Sequence, residues 1–201
     1  MTVLDHQTVT GAPLAPSLLL GLGGLTWVPA RYGVMTTWEG TWLGLEYGGW
    51  NRLMLVPLLL LTAGAVAAAR AASRRRTRVA WAVLATGFAL AGTGVAIEFI
   101  VGGGLQGGPE SIAVAGWTVY LLGQFVTAVA ALVLAAALAR EGPRGAAAAA
   151  VVAGIATLAW PAAAIRLSVE LADQVLIGLA WVALGVLVRR ALSRRRPTSP
   201  G

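Results

Sequence analysis

Two apolar runs, Leu53–Ala72 and Val79–Val101, are separated by only six residues, "SRRRTR" (Ser73–Arg78), four of them arginine. A hydrocarbon layer takes about 20 apolar residues to cross as a helix, and its core has no water to solvate a free backbone. Two such runs joined by a short cationic turn are therefore read as neighbouring antiparallel spans, with the arginines left in the headgroup layer. Four further apolar segments lie at Leu14–Ala30, Val114–Ala139, Ala146–Ile165 and Val175–Leu192. The fold class expected is all-α: a polytopic membrane bundle of six transmembrane helices in a single domain. The count drops to five if 14–30, which is short, glycine-rich and ends at Pro29, does not span.

Composition agrees. Charged residues make up 11% of the chain, against about 25% in soluble domains, and the mean hydropathy is +0.78. All 15 basic residues are arginine. Together with the abundant alanine and glycine, this suggests a GC-rich bacterial coding bias, and the lack of lysine excludes Schiff-base chemistry. There is no cysteine, so disulfides, thiol catalysis and iron–sulfur clusters are excluded. The one histidine is His6, which excludes haem held by transmembrane histidines and a histidine-rich metal site. No cofactor is implied. The net charge of +7 comes from arginines clustered at helix ends, which indicates membrane flanks and anionic lipid headgroups rather than nucleic acid.

Orientation follows from the arginines. With Ser73–Arg78 inside, the inner side holds Arg70, Arg74, Arg75, Arg76, Arg78, Arg140, Arg144, Arg189, Arg190, Arg194, Arg195 and Arg196. The outer side holds only Arg31, Arg52 and Arg166. The positive-inside rule then puts the protein in the cell inner membrane with its C-terminus cytoplasmic. The segment before Leu14 carries Asp5 and no basic residue, so it does not read as a cleaved signal peptide. "GGGLQGGPES" (Gly102–Ser111) reads as an outer loop, "REGPRG" (Arg140–Gly145) as a tight inner turn, and 193–201 as a disordered tail. The halves show no sequence match that would indicate an inverted repeat.

The unusual chemistry gathers on the outer side. The connection "TTWEGTWLGLEYGGWNR" (Thr36–Arg52) holds three tryptophans, a tyrosine and two glutamates. Helical spacing would place Trp38 with Trp42, and Glu39 with Glu46, as on an amphipathic helix lying on the surface. It reads as an aromatic anchor at the headgroup level or as a lid over an outward-facing pocket. Glu98 lies about one turn from the outer end of its helix, on a face otherwise made of Gly87, Ala91 and Gly94. Small residues let helices approach closely, so Glu98 is expected to face the bundle, with Arg52 or Arg166 as its partner. It is either a structural tie between helix ends or a ligand-binding or proton-handling carboxylate. Trp117, Tyr120, Gln124, Thr127 and Ala131 share a face of the next helix. Trp160 precedes Pro161, where a kink is expected. Gly178, Trp181 and Gly185, and the cluster "GLGG" at Gly21–Gly24, read as packing.

Three functions fit this pattern. The first is a binding, sensing or transport-accessory protein for a small or amphipathic ligand. Its site would be Glu98, Trp117, Tyr120, Gln124, Arg52, Arg166 and Trp160, covered by the segment bearing Glu39 and Glu46. The second is a structural subunit, with another membrane protein or a second copy of the chain as partner. The third is an integral-membrane lipid or isoprenoid enzyme with Glu98 as proton donor. No catalytic or nucleotide-binding motif decides for the third.

Overall fold

The computed structural model describes residues 14–165 and 171–193. The chain folds as an all-α bundle. Six long helices are α1 (Leu14–Thr36), α3 (Leu55–Ala71), α4 (Arg75–Ala96), α5 (Glu110–Glu141), α6 (Arg144–Ile165) and α7 (Leu171–Ser193). A short helix, α2 (Tyr47–Leu53), leads into α3, and a hairpin of two two-residue strands, β1 (Thr41–Trp42) and β2 (Leu45–Glu46), precedes it. Residues 97–101 continue α4 as one π-helical turn. Arg166, Glu170, the segment before Leu14 and the tail after Ser193 lie outside the described residues.

Four helical stretches are long and apolar enough to cross a membrane: Tyr47–Ala71, Arg75–Val101, Glu110–Glu141 and Leu171–Arg190. A fifth, Arg144–Trp160, is apolar but shorter over its described length. α1 is not among them; it contains Pro29 and carries Arg31. The four stretches are 44–50% buried, and their outward faces are as apolar as their inward ones. Leu59, Val83, Leu122, Phe125 and Leu179 are exposed, whereas Leu58, Leu84, Leu134 and Leu184 are buried. Helices that are apolar all round belong in lipid. The chain is thus a multi-pass helical membrane protein.

The long helices pack in chain order, and α7 closes against α1. Glycine makes the tight contacts. A β-carbon on Gly178 would sit 2.7 Å from the Gly24 carbonyl oxygen, and one on Gly185 2.9 Å from that of Ser17, so α7 lies nearly backbone-to-backbone on α1. The α4–α5 contact is closer still. Gly87 meets the Thr127 backbone, Gly94 the Tyr120 backbone, and Gly123 the Ala91 backbone. Across the middle, Phe88 of α4 meets Trp181 of α7 edge-on, with centroids 5.0 Å apart.

The structure corrects two boundaries. The first apolar segment does not stop at Pro29: α1 runs through it to Thr36, where the Thr37 hydroxyl donates to the Gly33 carbonyl (2.7 Å) at the helix end. The extra turns carry Arg31 into the bundle. Nor is 36–52 an amphipathic surface helix. Thr41 pairs with Glu46 and Trp42 with Leu45, and the two-residue loop Leu43–Gly44 has φ of 50° and 76°. That is the geometry of the tight turn whose twist matches a hairpin. Only 47–53 is helical. At the opposite end the "REGPRG" turn is as short as expected: Gly142, at φ 103°, ends α5 in the left-handed conformation.

Candidate functional site

A cavity of about 510 Å³ opens at the end of the bundle opposite the Ser73–Arg78 turn. α1, α2, α4 with its π turn, α5 and α6 all contribute to it. The turn between α1 and the hairpin meets the 102–109 loop beside it, where the Gln106 amide donates to the Trp38 carbonyl (2.8 Å).

The hairpin is held by its aromatic residues. Trp42 stacks on Trp50, with centroids 4.7 Å apart, and meets Tyr32 edge-on. The Trp50 indole N–H donates to the Trp42 carbonyl (3.1 Å). The Trp50 ring fills the space a β-carbon on Gly33 would take, so a glycine is required at that point of α1. Trp38 packs on Tyr47, and Tyr47 on Phe99. The clustered aromatics thus tie the connection to α1 and to the π turn.

Glu98 lines the cavity and is 4% exposed. It sits in the π turn, a local widening often found at functional sites. Gly116 of α5 packs on its backbone, where a β-carbon would come within 2.6 Å of the Glu98 nitrogen. Arg52 does not pair with the Glu98 carboxylate. Its Nε donates to the Phe99 carbonyl (3.0 Å), one residue along the same turn, and so holds the turn. Among the described residues Glu98 has no ion-pair partner; Arg166 lies outside them.

Trp117, Tyr120 and Trp160 also line the cavity. Tyr120 and Trp160 are buried and meet edge-on at 5.8 Å. Trp117, 42% exposed, stands at the rim, as does Trp38 at 50%. Gln124 is buried one turn deeper on α5, and its amide nitrogen has no partner among the described residues. Glu39 and Glu46 are exposed on the hairpin and do not line the cavity.

The residue that sequence reading missed is Arg31. It lines the cavity, is 8% exposed, and its guanidinium lies over the Trp160 ring, 4.9 Å from the centroid. Its Nε has no hydrogen-bond acceptor among the described residues, and neither does the Trp160 indole N–H. Treating Pro29 as a helix end put Arg31 in a loop. The available signal was the four-residue step from Trp27 to Arg31, which keeps both on one helical face. Tyr47 and Asn51 of α2 complete the wall, and the Asn51 amide donates to the Tyr47 carbonyl (2.9 Å).

The cavity therefore presents a carboxylate from α4 and a guanidinium from α1 among tyrosines and tryptophans. Among the described residues no group of three or more acidic, histidine or cysteine side chains could hold a metal. No family model, curated protein or solved structure matches the chain. A functional reading rests on this geometry alone.

Proposed function

We propose that the chain is a six-span inner-membrane protein that binds an amphipathic ligand in an outward-facing pocket, with its C-terminus cytoplasmic. The observation that carries this reading is that Arg31 and Glu98 line the same cavity. A guanidinium and a carboxyl, able to carry opposite charges, line one cavity with no ion pair between them among the described residues. Burying a charge is costly unless a partner compensates it. A ligand with a hydrogen-bonding, charged head would supply partners to both. Its apolar part would lie on Trp117, Tyr120 and Trp160, and the volume falls in the usual range of ligand sites. Binding, sensing or assistance to a transporter all need this much and no catalytic machinery.

The subunit reading leaned on stripes of small residues as docking faces. Gly24, Gly87, Gly94, Gly123 and Gly178 meet other helices of the same chain, which favours the binding reading. The enzyme reading would use Glu98 as proton donor and so needs a protonated carboxyl. The binding reading calls for an ionised one, and the infrared carboxyl stretch, compared with Glu98→Gln, separates the two.

The deciding experiment is native mass spectrometry on protein extracted from its own membranes. A discrete adduct on the wild type that disappears in both Glu98→Ala and Arg31→Met is the expected result. An adduct retained by both variants, or none in any form, would remove the pocket reading.

A further inference from the structure

A second site lies on the outer surface of the bundle, independent of the pocket. α4 and α5 are antiparallel, and a groove of about 620 Å³ runs between them on the lipid side. Its floor is alanine: Ala80 and Ala130 are each 2% exposed. Its rims are valine, with Val79 and Val83 on one side and Val129 and Val133 on the other, 42–55% exposed. At one end alone stand three arginines: Arg75 and Arg76 from the start of α4, and Arg140 from the end of α5. Among the described residues no ion pair or hydrogen bond engages these three side chains. The nearby acid, Glu141, accepts from the Thr77 hydroxyl and lines a separate small cavity.

We infer that this groove is a binding site for one anionic phospholipid of the leaflet that contains the Ser73–Arg78 turn. The dimensions argue for a lipid rather than a soluble anion. From Arg75 to Val83 the groove follows eight residues of helix, roughly 12 Å at 1.5 Å per residue. One leaflet of hydrocarbon is about 15 Å deep, half the bilayer core. An acyl chain lying between the valine rims puts its headgroup among the arginines, and a phosphodiester there meets three guanidiniums with matched geometry. A free phosphate would use the arginines and leave the apolar trough unexplained. The comparable groove between α3 and α4 is smaller, about 390 Å³, and its Arg78 already donates to the Ala72 carbonyl.

The test titrates the full chain in mild detergent with phosphatidylglycerol or phosphatidylcholine carrying identical acyl chains, and counts bound lipid by native mass spectrometry. The wild type is expected to retain one phosphatidylglycerol in preference to phosphatidylcholine. Arg75→Gln, Arg76→Gln and Arg140→Gln together should cut that preference by about a hundredfold, as expected for three arginines near a lipid surface. The charge-matched control replaces Arg194, Arg195 and Arg196 by glutamine and should keep it. Equal loss in both triple variants would reduce the effect to net charge and overturn the site, as would equal binding of the two lipids by the wild type. Ala136→Phe keeps every charge and fills the groove from an exposed position. It should abolish retention of the lipid, and wild-type retention by this variant would place the lipid elsewhere.

Discussion

Arg31 holds its guanidinium 4.9 Å above the ring of Trp160, while its buried Nε finds no hydrogen-bond acceptor among the described residues. A cation over an indole gains about 2 kcal/mol when desolvated, whereas taking the charge out of water costs several. Stability alone therefore does not favour arginine here. Arg31→Met is expected to raise the thermal midpoint in detergent, by an amount corresponding to about 1 kcal/mol or more, while removing the native adduct. Arg31→Lys should lose the adduct without that gain, since it keeps a charge and loses the planar fork. A fall of several degrees in Arg31→Met would instead make Arg31 a structural residue.

The α4–α5 contact should be the least tolerant of added volume. A β-carbon on Gly123 or Gly94 runs into the backbone of the facing helix, which cannot rotate away as a side chain can. Gly123→Ala and Gly94→Ala are each expected to destabilise by about 1–3 kcal/mol, the usual cost of overpacking. Gly48→Ala has open space around it and should be neutral or slightly stabilising. Denaturation in mixed micelles measures the three side by side; equal midpoints would show that the helices are less tightly packed than their glycines require.

Leu43 is 75% exposed at the hairpin tip with φ of 50°. A side chain with a β-carbon is strained there by about 1–2 kcal/mol, and asparagine tolerates the conformation better. Leu43→Asn is expected to rigidify the hairpin. The readout is slower exchange of the Trp42 and Leu45 amides, the pair that flanks the turn, with the global midpoint little changed. Faster exchange would mean that Leu43 is held by contacts that outweigh its backbone strain.

What the sequence made legible was governed by long-range averages. The long helices follow from apolar length, and the short turns at 72–74 and 142–143 from arginine, glycine and proline. The carboxylate of Glu98 and the rings of Trp117, Tyr120 and Trp160 stood out because each is unusual within an apolar run. What stayed hidden depended on single local contests. Pro29 removes one helical hydrogen bond, but packing of α1 between α3 and α7 carries the helix on. The 36–52 segment has helical spacing in its tryptophans, yet Gly44 and Gly40 favour a turn, and Trp42 on Trp50 locks the hairpin. Arg52 looked like a partner for Glu98 because it lies at the same depth; in the fold it bonds to the Phe99 carbonyl instead.

The orientation can be tested directly because the chain has no cysteine, so any introduced thiol is the only one. Glu46 and Arg74 are both exposed and lie at opposite ends of the bundle. Arginines concentrate at the Arg74 end, and the positive-inside rule assigns that end to the cytoplasm. Glu46→Cys is expected to react with a membrane-impermeant maleimide in intact spheroplasts, whereas Arg74→Cys should react only after permeabilisation. Reaction of Arg74→Cys in sealed cells would invert the topology. The pocket would then face the cytoplasm, and its ligand would have to be sought among intracellular amphiphiles rather than in the outer medium or leaflet.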